Sequence, residues 1–209
     1  MLKDELNDAI AKSKGVQRNW DLTKTIPQED IDLIAEAITQ APSKQNVKFF
    51  KPYFITDRTK IESVHRETSG FLIKDGIQGG VAPNGNRLTT NPQTLANLLI
   101  VFANDYDKED AKQKTDQHEN YDVMDMDMHQ AIGVAVGYTY LTSALLGYST
   151  GCCACCNVDE IQRILGIPHK PVLLMGVGYP DENKPRREHH LNSQLTFPTK
   201  SKNISVEIL

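Results

Sequence analysis

The chain has 209 residues, enough for one domain with a substantial core. Its 39% hydrophobic and 24% charged residues match a globular protein, and a net charge of −4 excludes the basic field that nucleic-acid binding needs. The longest apolar run, Ala131 to Tyr138, is too short to span a bilayer, and the charged Met-Leu-Lys-Asp-Glu-Leu start does not read as a secretory signal.

In chain order, residues 3–13 predict a helix ended by Gly15. Thr25-Ile26-Pro27-Gln28 has the form of a capping box, opening a helix with Ile31, Leu33, Ile34 and Ile38 that runs to about Gln40 and is stopped by Pro42. An apolar strand follows from Phe49 to Thr56, then a helix from Asp57 to about Thr68 with Ile61 and Val64 on one face. Residues 74–92 are rich in Gly, Asn and Pro and predict a loop. Leu98 to Ala103 is uninterrupted and apolar, as in a strand buried on both faces, whereas 104–122 is strongly charged and predicts a solvated segment. Asp125 is the expected cap of a long helix ending at Leu146-Gly147. Ala131, Gly133, Ala135, Gly137 and Ala144 make that helix small or apolar nearly all round, so it belongs in a core or a subunit interface, with close backbone packing offsetting the propensity lost at its glycines. A short helix capped by Asn157, with Glu160 three residues on, stops at Gly166, and Pro171 to Val177 predicts a second buried strand. Ile204, Val206 and Ile208 alternate with polar residues as in a half-buried strand. The mixed order predicts a single α+β domain over residues 1–209.

All four cysteines fall within 152–156, so no disulfide framework spans the fold and a reducing, cytoplasmic location is expected. Five consecutive residues do not readily wrap a tetrahedral metal, and adjacent cysteines form strained disulfides. No metal ligands are therefore assigned, and His189-His190 is read as incidental. The sequence has no G-x-G-x-x-G or phosphate-loop motif, no H-E-x-x-H and no nucleophile elbow. That pattern fits chemistry carried by a bound cofactor.

Five features occur in order: Arg18 in an N-terminal segment, Ala41-Pro42-Ser43-Lys44-Gln45-Asn46, Leu146-Gly147, Gly178-Tyr179-Pro180 and the basic pair Arg186-Arg187. Together, over residues 17–190, they resemble the FMN-dependent nitroreductase family. The resemblance implies a nitroreductase-like α+β fold, with a mixed, mainly antiparallel sheet flanked by helices. It also implies a homodimer in which residues 196–209 extend onto the partner by strand exchange, with FMN bound non-covalently at the interface. On that reading Arg18, Asn19 and Trp20 approach the flavin, with Arg18 at the phosphate and pyrimidine edge, where a planar fork of donors suits both tasks. The family's second arginine in this segment is missing here, and Lys24 is the candidate replacement. Pro42, Ser43, Lys44 and Asn46 approach the isoalloxazine, often from the partner, and Lys48 is a further candidate cation. Cys152, Cys153 and Ala154 form a small-residue loop beneath the ring, with the backbone N–H of Cys153 or Ala154 directed at N5. Arg186 and Arg187 close on the phosphate.

The implied activity is ping-pong electron transfer from NAD(P)H through FMN to a nitroaromatic, a quinone or a related small acceptor, with no nucleic-acid or membrane partner. Two alternatives stand beside it. One is a flavin-binding or thiol redox sensor that uses the 152–156 cysteines without turnover. The other is a flavin-fragmenting or dehalogenating member of the same fold.

Overall fold

The computed structural model describes residues 2–70, 90–106, 121–190, 192–196 and 204–208. The elements are α1 (Leu2–Ser13), α2 (Gln28–Thr39), β1 (Phe50–Ile55), α3 (Arg58–Arg66), β2 (Leu98–Asn104), α4 (Tyr121–Leu145), β3 (Ser149–Cys153), α5 (Val158–Leu165), β4 (Pro171–Gly178), β5 (Glu188–His189) and β6 (Asn192–Thr196). Two 3-10 turns, Lys44–Asn46 and Pro92–Thr94, complete them.

The main sheet has the order β1-β2-β4-β3, and all three of its pairings are antiparallel. A parallel bridge from Val16 to Thr150 extends its β3 edge. The β2 run is the axis of the fold. Successive side chains of a strand point to opposite faces, so Leu98, Ile100 and Phe102 enter one core while Leu99 and Val101 enter another. The first core is closed by Ile31, Ile34 and Ile38 of α2 and by Met128, Ala131, Ile132 and Ala135 of α4. The second is closed by Ile61 and Val64 of α3 and Ile161 of α5. Helices thus cover both faces of the sheet, and β2 is buried on both sides as its composition requires.

Local signals explain several boundaries. The Asp57 side chain accepts from Lys60 N and caps α3; Asn157 does the same for Glu160 N at α5, and Gly166 ends that helix at φ 64°. Gly147 follows α4 at φ 93°, in the left-handed region that glycine adopts without steric cost.

Four expectations need correction. The N-cap of α2 is Pro27, with no side-chain cap, so the Thr25 capping box does not form. Helix α4 opens at Tyr121, which puts Asp125 inside it and not at its cap. Among the described residues nothing lies within 4 Å of the Cβ positions of Gly133 and Gly137, so close packing against those residues is not what these glycines serve. Residues 204–208 form no regular element, and Ile204, Val206 and Ile208 are exposed. The loop expected at 74–92 and the solvated segment at 104–122 lie largely outside the described residues. Among the described residues no helix is long and apolar enough to cross a membrane, and no group of three or more His, Cys, Asp or Glu is arranged to hold a metal ion.

Candidate functional site

The segment after α1 is stitched to the end of the sheet. Gln17 N donates to Thr150 O at 2.9 Å, and the Gln17 side-chain oxygen accepts from the backbone N–H of Arg18 (2.8 Å) and Asn19 (3.0 Å). Asn19 Nδ2 donates to Pro185 O (2.6 Å) and Glu188 O (3.2 Å), and Trp20 Nε1 donates to Pro92 O (2.8 Å). Asn19 and Trp20 are therefore struts that tie this segment to the chain after β4 and to the 92–94 turn. Arg186 Nη1 returns the contact by donating to Val16 O at 3.0 Å.

The result is a convergence of cations. Arg18 is buried, and its guanidinium is pulled down to about 10 by burial first and then by the charges of Arg186 and Arg187. Like charges so close disfavour one another's ionised form, and an anion relieves that repulsion. The basic pair and Arg18, 168 residues apart for Arg18 and Arg186, thus meet at one end of the sheet. Lys24 does not join them. It pairs with Asp21 at 3.1 Å and lies over the Tyr179 ring at 5.2 Å.

Beside the arginines lies a buried polar floor that sequence reasoning missed. The Pro92–Thr94 turn is capped by Asn91, whose side chain accepts from Gln93 N. Two glycines let this turn sit down on the sheet: a Cβ on Gly176 would stand 2.1 Å from Gln93 O, and one on Gly151 2.8 Å from Gln17 O and 2.9 Å from Gln93 Cβ. His65 Nδ1 is 3.0 Å from Asn91 O, which fixes the proton on Nδ1, because a carbonyl only accepts. His189 Nε2 donates to Thr90 O at 3.1 Å. His190 stacks on His189 (centroids 4.6 Å apart) and meets His65 edge-on (4.8 Å). Burial pulls His65 and His190 down to about 3 and lowers His189 as well, so these imidazoles are neutral near pH 7. His189-His190 is accordingly a built-in part of the floor, not incidental. Among the described residues, four buried atoms here have no hydrogen-bond partner: His65 Nε2, Thr90 Oγ1, Gln93 Oε1 and His190 Nδ1. Buried polar groups are nearly always paired, so the cluster is a candidate surface for a polar ligand edge.

The cysteines split between two elements. Cys152 and Cys153 are in β3, paired with Met175 and Leu174, and Ala154 is the first residue past the strand. Cys156 bridges to Thr68 beyond it. Burial raises the Cys152 and Cys156 thiols to about 11 and raises Cys153 too, and all four thiols are unbridged. Cys152 packs against one core and Cys153 against the other, as small hydrophobes.

Pro42, Ser43, Lys44 and Asn46 lie elsewhere. Phe50 at the start of β1 pairs with Asn104, and Ile55 at its end pairs with Leu99, next to Leu98, Val177 and Thr150. The 42–46 turn is therefore at the opposite end of the sheet from Arg18, with the length of β1, about 17 Å, between them. In the turn, Gln45 and Asn46 have positive φ (52° and 58°), and Ser43 Oγ donates to Val47 O at 2.7 Å. Lys44 pairs with Asp127 (2.7 Å) and Lys48 with Asp105 (2.9 Å), so both lysines already have carboxylate partners within the chain. Ser43, Asn46 and Lys48 line a surface pocket of about 430 Å³ with Phe49 and Phe50.

A model of the nitroreductase family matches residues 15–179. Among solved structures, ydfN of Bacillus subtilis, assigned as a nitroreductase, superposes with a TM-score of 0.71 at 13% identity, over 99% of this chain and 100% of that one. A Staphylococcus epidermidis protein assigned as an NAD(P)H:FMN oxidoreductase gives 0.63 at 15% identity, over 86% and 89%. Nitroreductase A of Vibrio parahaemolyticus gives 0.63 at 14%, over 96% and 78%. At such identities the likeness is one of fold. No curated protein matches the sequence.

Proposed function

The chain belongs to the nitroreductase family, and from that membership we propose that it is an FMN-dependent oxidoreductase moving electrons from NAD(P)H to a nitroaromatic, quinone or related small acceptor. The observation that carries this reading is the convergence of Arg18, Arg186 and Arg187 beside the floor of unpartnered buried atoms. These residues fit the cofactor. A terminal phosphate has nearly two negative charges, which three arginines complement. A flavin pyrimidine presents mixed donors and acceptors, which a neutral His65 Nε2 and the Gln93 and Thr90 oxygens match in kind. When bound, FMN supplies the electron and hydride chemistry, and no dedicated nucleophile is required. Arg18, Arg186 and Arg187 would hold the phosphate, Asn19 and Trp20 would fix the segment that carries Arg18, and the Cys153–Ala154 backbone at the end of β3 would lie under the ring.

The same reading makes the protein a homodimer with the site between subunits. Three observations support it. The 42–46 turn and Arg18 are at opposite ends of one sheet, so a single flavin draws on both only if two chains contribute. Met126, Val134, Tyr138 and Leu145 of α4 are exposed, with open space over Gly133 and Gly137. The tail keeps Ile204, Val206 and Ile208 in water, a strand pattern in want of a sheet edge. The reducing cytoplasm is the compartment on this reading, consistent with four unbridged thiols. The thiol-sensor alternative loses support, since burial raises three of the four thiols and a thiolate is the reactive form.

The test is the visible spectrum of the purified protein, followed by anaerobic titration with NADPH and NADH. A bound flavin that bleaches with pyridine nucleotide and recovers on adding a quinone is the expected result. A colourless protein that takes up no FMN refutes the reading.

A further inference from the structure

The 42–46 turn is anchored on both sides of its tip. On one side Val47 is buried in the first core. On the other, Lys44 Nζ donates to Asp127 Oδ2 at 2.7 Å, and Asp127 is a buried carboxylate on α4, next in sequence to the core side chain Met128. Ser43 Oγ closes the turn by donating to Val47 O at 2.7 Å, and Asn46 N and Val47 N donate to Ser43 O (3.2 Å) and Lys44 O (3.1 Å). Between the two anchors stand Gln45 and Asn46, both exposed and both at positive φ, 52° and 58°.

Two of these features need a cause. Non-glycine residues in the left-handed region cost free energy, Gln more than Asn, and persist only where their surroundings impose them. A carboxylate inside a core also costs, and a buried ion pair adds little net stability, since apolar residues in its place often do as well or better. Stability therefore accounts poorly for the pair. Its effect is geometric: it ties the turn to α4, the helix whose Met126, Val134, Tyr138 and Leu145 are exposed.

We propose that Lys44 and Asp127 are positioning residues for the flavin site of the neighbouring subunit. By clamping the turn to α4 they fix the left-handed 45–46 pair and so aim the Asn46 amide across the interface. Lys44 touches no cofactor itself. This rests on the interfacial flavin of the preceding subsection and adds how the turn is held toward it.

FMN dissociation constants, measured by quenching of flavin fluorescence on the purified full-length protein, test this, with sedimentation checking the dimer in each variant. Asn46→Ala, Asp127→Asn and Lys44→Met should each weaken FMN binding by about 3- to 10-fold, the loss of one hydrogen bond. Asp127→Asn placed on Asn46→Ala should add less than about twofold, because without the amide nothing remains to be aimed. If Asp127→Asn does not fold, Lys44→Met combined with Asn46→Ala makes the same comparison. With FMN bound by the parent protein, unchanged affinity in Asp127→Asn and Lys44→Met overturns the proposal alone and leaves a purely structural pair, whatever happens to thermal stability. Losses that multiply in the double variant overturn it as well. So does a loss in Lys44→Met that Asp127→Asn does not share, which would make Lys44 a direct ligand, and so does a loss that merely follows dissociation into monomers. A parent protein that takes up no FMN overturns both this proposal and the flavin reading.

Discussion

Mild acidification should weaken the fold through the imidazole cluster. His65 and His190 have an ordinary value of 6.5 and are held near 3 in the native state, chiefly by burial. Below pH 6.5 the unfolded chain binds protons that the folded chain refuses, so stability falls as pH falls. Each site then loses about 1.4 kcal/mol per pH unit, or about 2 kcal/mol between pH 6.5 and 5. The two rings touch and share neighbours, so their losses do not simply add; a combined loss of about 2–4 kcal/mol is expected between pH 7 and 5. His189, also lowered, acts in the same direction. The carboxylates with lowered values, Asp21, Asp105 and Glu160, contribute only nearer pH 4 and below, which leaves this window to the histidines. Urea unfolding at pH 7 and pH 5 measures the effect. The double variant His65→Gln/His190→Leu should start less stable at pH 7 and lose under about 1 kcal/mol over the same interval. A variant whose stability falls as steeply as the parent's would show that the titrating groups lie elsewhere.

Other outcomes follow from the same contacts. Gly176→Ala forces a methyl to 2.1 Å from Gln93 O; overpacking of this kind costs about 1–3 kcal/mol, so the thermal midpoint should drop by about 3–10 °C, and a change under about 1 °C contradicts the contact. Arg18→Ala and Arg187→Ala each remove a charge-assisted contact worth about 1.5–3 kcal/mol, so FMN affinity measured by fluorescence quenching should weaken by about 10- to 150-fold, and undiminished retention in the double variant counts against the phosphate site. Deleting residues 200–209 should produce monomers in sedimentation together with lower thermal stability and flavin loss; a monomer that keeps all its FMN would sink the interface reading. Replacing the four cysteines with serine should leave FMN binding in place at some cost in stability, and stoichiometric zinc in the parent protein would overturn their assignment as packing residues.

Much of the fold could be read from local pattern. The unbroken run at 98–103 announced a strand with two buried faces, and Asn157 with Gly166 bracketed α5, because caps and strand faces are set by neighbours in sequence. The α2 cap went wrong because Pro27, with its fixed φ, already starts the helix without a side-chain acceptor. The cationic end of the site was legible only through family resemblance, since nothing local links Arg18 to Arg186. The floor was not legible at all. His65 is three residues before Thr68 on a helix that reads as amphipathic, Gln93 is in a loop-like stretch, and what unites them is packing across the glycines of β3 and β4. Lys24 and Lys48 looked available for a ligand because sequence does not display their partners, Asp21 and Asp105.

The position of β1 at the rim of the sheet has a consequence for the protein's behaviour in concentrated solution. A rim strand offers unmatched backbone donors and acceptors to any extended chain it meets, which is how ordered aggregates begin. Here the strand carries Pro52 at its third residue, where a missing N–H interrupts the template, and the exposed Lys51 beside it adds charge. Those two residues discourage indiscriminate stacking along this edge, at the end of the sheet where the 42–46 turn enters β1.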